Sequence, residues 1–264
     1  MTAIPAPIPA PAPHAVMLAA GMGIRLSGGD DTLLPKALLP FGGKTLLARH
    51  IEILRGAGVA GLTLVVGYHR EDIEAEIARL GADDFVSTVH NPDYRHGSLV
   101  SLWTARDTLA SGRDILFMDA DVLYDPRLIA PLLAARGRNC ILMDREFEPG
   151  DEPVKLCLKD GLPVEFRKKV ERDYDSVGEW PGFLVFEARM ASRIAAVLGA
   201  FIEHGRRDEP YEEAFREVML ASPERFEIAD ITGLPWIEID FPADIVRAER
   251  EILPALEGDQ TRKT

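Results

Sequence analysis

Between Ala15 and Asp144, short apolar runs alternate with amphipathic segments, and this rhythm restricts the chain to very few architectures. The runs AVMLAA (15–20), LTLVVG (62–67), FVSTVH (85–90), DILFMDA (114–120) and CILMD (140–144) read as buried strands. Between them, core-facing residues recur at helical spacing: Leu46, Leu47, His50, Ile51 and Leu54; Ile73, Ile77 and Leu80; Leu99, Leu102, Trp103 and Leu109; Leu128, Ile129, Leu132 and Leu133. Alternating strands and helices cover both faces of a sheet. They predict an α/β fold, a doubly wound, mostly parallel mixed sheet with right-handed crossovers. Ligands in such sheets sit beyond the carboxyl ends of the strands, so the chemistry is sought there.

After Asp144 the rhythm changes. PVKLCLKDGLPVEFRKKV reads as two strands joined at Lys159-Asp160-Gly161, where Asp-Gly suits a tight hairpin turn. A polar segment follows, and GFLVFE (182–187) returns as a strand. This inserted β-hairpin lobe, about 145–185, is expected to cover one side of the pocket. Helices around 189–204 and 210–221, a strand pair around 226–239 and a final helix from near Pro242 complete the reading.

A chain of 264 residues, 47% of them hydrophobic, can bury its core as one domain, residues 14–256. The formal net charge of -13 makes an average field that repels nucleic acid and anionic membranes, so neither is an expected partner. A polyanionic ligand must then be held by local cations, backbone N–H groups or a metal. No stretch approaches a membrane span. Residues 1–13, MTAIPAPIPAPAP, lack the positive region of a signal peptide and read as a disordered, polyproline-like tail. Residues 257–264 read as a flexible tail. Cys140 and Cys157 lie in apolar stretches without CxxC or Cys/His spacing, and read as buried thiols of a cytoplasmic protein.

The richest chemistry follows the first strand, in LAAGMGIRL (18–26) and then in PKALLPFGGKTLL (35–47). After Leu18, the residues Ala19, Ala20, Gly21 and Gly23 offer N–H groups without side-chain bulk, so a ligand can approach the backbone. Arg25 and Lys36 bring two cations to the same mouth, enough to oppose much of a triphosphate's charge. The plain alternative is a glycine-rich turn whose cations point to water; the strand context and the paired cations favour a phosphate cradle. It is not a P-loop, since GxxxxGK[ST] is absent. It also lacks the third glycine of the dinucleotide fingerprint, and no acidic residue follows the second strand.

These motifs resemble the sugar-phosphate and choline-phosphate type of nucleotidyltransferase, whose pattern is LAAGxGxRL, then PKxLL, then a GGKxLL-like turn into a helix. The match runs from Val16 to about Val66, and SGGDDTLL (27–34) departs from it in being longer and more acidic. The resemblance implies a Rossmann-like nucleotidyltransferase fold and an NTP-dependent enzyme in which Arg25 and Lys36 carry most of the rate beside Mg²⁺.

Asp119 and Asp121 stand in MDADV at the end of the fourth parallel strand, and only one of them is expected to face the ligand. The resemblance selects Asp121, because the family's metal-binding aspartate follows a small residue and precedes an apolar one. Its partner would be Asp240 in WIEIDFPAD, although an aspartate just before a helix is often only an N-cap. Asp244 is read as a first-turn carboxylate complementing the helix dipole. Two carboxylates, phosphate oxygens and water make an ordinary Mg²⁺ shell.

HNPDYRHGSLVSLWTA (90–105) follows the third strand and is expected to border the nucleoside, with Asn91, Gly97, Ser98 and Ser101 presenting polar groups to a base edge. An Asn-Pro turn and a helix capped by Ser98 would use the same residues. The choline-phosphate branch has a similar stretch but carries an asparagine near Gly97-Ser98, and NPxYxxGxxxSL also looks like the molybdopterin nucleotidyltransferases. Cytosine, hence CTP, is the chosen base, and guanine is the rival. EPVKL, EFRKKV and VGEWPGF reproduce the layout of that branch's acceptor lobe, which nominates Glu152, Lys155, Lys168, Glu179 and Trp180. A lysine would hold the acceptor's phosphate, and Glu179 with Trp180 would meet a cationic head group. The expected reaction is transfer of CMP from CTP to phosphocholine, phosphoethanolamine or 2-aminoethylphosphonate, with release of pyrophosphate. A sugar 1-phosphate or molybdopterin acceptor, and a non-catalytic nucleotide-binding module, are the alternatives.

Overall fold

The first apolar run forms β1 (His14–Ala19), whose alternating side chains feed two separate cores: Ala15 and Met17 one, Val16 the other. In the computed structural model, which describes residues 11–28, 33–135, 137–148 and 150–260, β1 lies inside the main sheet, with strands on both sides. Residues 1–10 of the expected N-terminal tail, 29–32 of the acidic loop and 261–264 lie outside the described residues. After β1 come α1 (Ile24–Ser27), a short hairpin of β2 (Pro40–Phe41) and β3 (Lys44–Thr45), α2 (Leu46–Gly56), β4 (Leu62–Val66), α3 (Arg70–Arg79) and β5 (Val86–His90). Next are α4 (Ser98–Thr104), α5 (Arg106–Leu109), β6 (Ile115–Asp119), β7 (Val122–Tyr124), α6 (Ile129–Ala134) and β8 (Asn139–Met143). The remainder contributes β9 (Lys155–Lys159), β10 (Leu162–Arg167), β11 (Ser176–Glu179), β12 (Phe183–Phe186), α7 (Ala188–Glu203), α8 (Glu212–Ala221), β13 (Phe226–Asp230), β14 (Trp236–Glu238), α9 (Pro242–Arg247) and α10 (Leu253–Gln260).

Seven strands make one sheet in the order β13-β8-β12-β6-β1-β4-β5. All neighbours run parallel except β12, which is antiparallel to both β6 and β8. The chain steps outward from β1 to β4 and β5, then returns to β6 on the other side of β1. That reversal opens a crevice at the carboxyl ends of β1 and β6. On one face α2, α3 and α6 bury Leu47, Ile51, Ile73, Ile77 and Leu132; on the other α4, α7 and α8 bury Leu99, Leu102, Ile194, Leu198 and Phe215. Both faces are covered, as the sequence pattern requires. Helix α2 begins where it does because the Thr45 hydroxyl accepts from the Ala48 N–H at 3.0 Å.

The inserted lobe has three strands, β10-β9-β11, one more than the hairpin expected. The extra strand, SVGE, is short and half-buried, so it shows no apolar alternation. Asp160 (φ 51°) and Gly161 (φ 78°) both have positive φ, the requirement of a type I′ turn between β9 and β10. Asp144 and Glu179 exchange backbone hydrogen bonds of 2.9 and 2.7 Å and so tie the lobe to the end of β8. The segments expected to pair with each other around 226–239 do not: β13 extends the main sheet beside β8, and β14 pairs with β7. At the ends, the Pro13 carbonyl accepts from Ala60 N–H at 2.9 Å, and the final helix continues to Gln260, past Glu257. Among the described residues no helix is long and apolar enough to cross a membrane.

Candidate active site

The crevice holds a cavity of about 270 Å³, walled on one side by Leu18, Ala19, Ala20, Gly21 and Gly23. Gly23 has φ 59°, and a Cβ there would lie 3.3 Å from Lys36 Cγ, so backbone shape and lysine placement both favour glycine. Lys36 opens a short 3₁₀ turn, Lys36–Leu38, and its ammonium reaches back into the crevice. There Nζ donates to Asp121 Oδ2 at 2.8 Å and to Asp240 Oδ1 at 2.6 Å. Burial works against the charged lysine, but the charges and hydrogen bonds of Asp121 and Asp240 outweigh it and hold Lys36 above the ordinary lysine range. Arg25 pairs with Asp240 Oδ2 at 2.8 Å and with Glu152, and lies 5.4 Å from the centre of the Phe241 ring. The predicted cations and carboxylates therefore meet in one cluster, drawn from segments far apart in sequence.

A third carboxylate joins them. Ligand oxygens of Asp121, Glu238 and Asp240 lie within 4.8 Å of one another. Packing around Glu238, which still opens to the cleft, and the charges of Asp121 and Asp240 push its carboxyl up to about 8. Asp240 is not the N-cap of α9: Asp244 Oδ2 accepts from the N–H groups of Asp240 (2.9 Å) and Phe241 (2.7 Å), leaving the Asp240 carboxylate to the cluster. The expectation that only one of Asp119 and Asp121 faces the ligand is wrong, because side chains two apart along a strand share a face. Both line the cavity, and Asp119 Oδ2 accepts from the Tyr211 hydroxyl at 2.5 Å. Burial and the nearby Asp121 hold Asp119 well above the usual carboxylate range. Beneath the Ala120–Asp121 turn, fully buried His50 donates from Nε2 to the Ala120 carbonyl at 3.1 Å. Burial pushes its imidazole down to about 4, so it stays neutral.

The structure separates the four residues nominated for the nucleoside. Ser98 and Ser101 line the cavity, joined by Tyr94 and His96. Asn91 does not: it is 1% exposed, its Nδ2 donates to Ser101 Oγ at 3.0 Å, and its Oδ1 accepts from Asp93 N–H at 2.9 Å. The turn explanation wins there. Gly97 is corrected as well, since a Cβ would lie 2.5 Å from the Glu209 carbonyl oxygen; the glycine permits close packing of two loops rather than contact with a base. Ser98 does not cap α4; its hydroxyl accepts from Tyr211 N–H at 3.1 Å.

The lobe residues also part company. Lys168 lines the cavity and pairs with Glu152 at 3.2 Å. Lys155 donates to the carbonyls of Gly150 and Lys168, both at 2.6 Å, and thereby ties the lobe's loop to its second strand. Glu179 and Glu152 face a larger neighbouring cavity of about 660 Å³ that also contacts Glu238 and Asp240. Burial and the adjacent Asp144 push Glu179 up to about 7. Trp180 cannot meet a head group: it is 4% exposed, its Nε1–H donates to the Phe183 carbonyl at 2.8 Å, and its ring packs edge-on against Phe166. Its size serves the core.

Residues 15–208 match the MobA-like NTP transferase domain, well over half of the chain. The protein belongs to that family. This NTP transferase is 29% identical, over 92% of its length, to the CMP-5'-(3-aminopropyl)phosphonate synthase of Streptomyces rubellomurinus, and spans 39% of that longer protein. It is 23% identical to the CTP:phosphoglutamine cytidylyltransferase of Campylobacter jejuni over 88% of this chain and 97% of that one. Its fold is that of the inositol-1-phosphate CTP transferase from T. maritima, with a TM-score of 0.73 at 19% identity, covering 93% of this chain and 96% of that chain.

Sequence reasoning missed Tyr94, His96, Tyr211, Glu212 and Glu238 among the residues lining this NTP transferase's cavity. Glu238 was legible in WIEID, where it stands two residues before Asp240 and shares its side of the chain. Glu212 was not, because an acid in the first turn of α8 looks like any helix-dipole partner.

Proposed function

We propose that this protein transfers CMP from CTP to a small phosphonate or phosphate-bearing acceptor and releases pyrophosphate. The observation that carries this reading is the Lys36 ammonium seated between Asp121 and Asp240, at the mouth of the backbone cradle. A cation already sits among these carboxylates, so the donor set fits a divalent ion: Asp121, Asp240 and Glu238 would hold Mg²⁺. When bound, Mg²⁺ neutralises triphosphate charge and stabilises the charge that passes to pyrophosphate.

The chain's own groups do the rest. Backbone N–H groups over 19–23 receive the phosphates, and Arg25 and Lys36 offset their charge. Ser98, Ser101, Tyr94 and His96 border the nucleoside. An acceptor oxygen attacks the α-phosphorus in line, forming a new P–O bond as the bond to the β-phosphate oxygen breaks, and no protein nucleophile is required. Lys168 stands where it can orient the acceptor's anionic end. The choice of cytosine is supported by the relatives, whose names specify CMP or CTP. The two buried, unpaired thiols fit a cytoplasmic setting.

The deciding experiment measures pyrophosphate release for four NTPs against phosphocholine, 2-aminoethylphosphonate, a sugar 1-phosphate and a molybdopterin substrate. CTP with an aminated acceptor should give the highest kcat/KM. GTP with molybdopterin as the leading pair would move the protein to the rival activity, and tight NTP binding without release would make it a binding module.

A further inference from the structure

Helix α8 begins with Glu212, which lines both the cavity beside Lys168 and an adjoining one of about 290 Å³. Its Oε2 is shut off from water and accepts no hydrogen bond; among the described residues only Arg207 Nε shares that condition. Most of the acids around it are engaged, and Glu238 belongs to the carboxylate cluster with Asp121 and Asp240. Asp119 has the Tyr211 hydroxyl, Asp121 and Asp240 have Lys36, Glu152 has Arg25 and Lys168, and Glu213 has both nitrogens of Arg167. A buried carboxylate oxygen without a partner is costly, and in a folded protein it calls for an explanation. We propose that Glu212 holds a cationic amine on the acceptor and so selects aminated phosphonates or phosphate esters over uncharged ones.

This inference rests on the transfer reading for the location of the acceptor, and the geometry supports it independently. Lys168 and Glu212 line the same two cavities; burial raises the Glu212 carboxyl, and a ligand's ammonium beside it would favour the ionised form, so one pocket offers a cation for the anionic end of a ligand and a carboxylate for its other end. The matching ligand is a short zwitterion. A ribose hydroxyl could also satisfy Oε2, but it would bring no charge to offset that of a buried carboxylate. With Trp180 enclosed in the core, Glu212 takes over the head-group role on this side of the site.

The test uses the full chain with Mg²⁺ and CTP, and compares 2-aminoethylphosphonate with ethylphosphonate, which lacks only the amine. Glu212→Gln should lower the ratio of kcat/KM for the aminated over the plain acceptor by about 30-fold or more, the scale of losing one side of a buried charge pair. KM for CTP should not move, and Glu212→Asp should keep a preference for the amine. Equal losses on both acceptors, or a matching rise in KM for CTP, would overturn the proposal and assign Oε2 to folding or to the ribose. Calorimetric binding of the two phosphonates, with a non-hydrolysable CTP analogue present, separates this inference from the transfer reading. Glu212-dependent preference for the aminated ligand without any pyrophosphate release sinks the transfer reading and keeps the amine site. Release of pyrophosphate without such preference does the reverse.

Discussion

The two walls of the cleft are made in opposite ways. On the β1 wall, one continuous stretch from Leu18 to Gly23 presents backbone, and side-chain identity matters mainly by being small. On the facing wall, Lys168, Tyr211, Glu212 and Glu238 come from separate segments, the lobe, the start of α8 and β14, and each would act through its side chain. A backbone wall suits the part of a substrate that all NTPs share, the phosphates. A side-chain wall can be altered one residue at a time, and so suits the acceptor that differs between enzymes.

The largest expected effect lies at the junction of the walls. Asp121→Ala should lower kcat with CTP by on the order of 10³-fold, with an unchanged circular dichroism spectrum; near-normal turnover would remove the carboxylate cluster from the mechanism. Trp180→Ala tests whether the acceptor wall includes that ring. It should cost about 3 kcal/mol of stability, read from the urea midpoint, without preference between CTP and an aminated acceptor. A selective rise in the acceptor's KM would return Trp180 to the ligand.

The turn after β6 has its own pH signature through His50. Its folded-state pKa of about 4 lies below the ordinary 6.5, so protonation favours the unfolded chain. Its stability contribution is complete above pH 6.5 and is lost as the pH falls toward 4, reaching a deficit of roughly 2 kcal/mol by pH 5. Urea titrations at pH 7 and 5 should show this slope in the wild type and a flatter one in His50→Asn. The smallest effect should come from Lys155→Ala, which frees the lobe's loop from its second strand. KM for the acceptor should rise about fivefold while KM for CTP holds; equal changes would show that the lobe does not serve one wall alone.

The same division explains what the sequence disclosed. LAAGMGIRL could be read because a strand followed by small residues and cations has few other uses, and the sheet followed from five apolar runs. Asn91 and Gly97 misled because the residue types that suit a base edge also suit a turn and a tight loop contact. Trp180 misled because an aromatic beside Glu179 reads the same whether it faces a ligand or the core. Tyr211 and Glu212 carried no signal, since they reach the crevice only when α8 packs across the sheet.

Ser98 lines the cavity yet accepts a hydrogen bond from Tyr211, and Gly97 presses on the Asp208–Glu209 backbone just ahead of α8. The stretch proposed to face one substrate is thus laced to the stretch proposed to face the other. Exchanging either stretch alone with that of a relative would leave a mismatched seam, so a working chimaera should have to carry 91–98 and 206–212 together. New pairings of base and acceptor would then arise by inheritance of a block, rather than by independent tuning of two pockets.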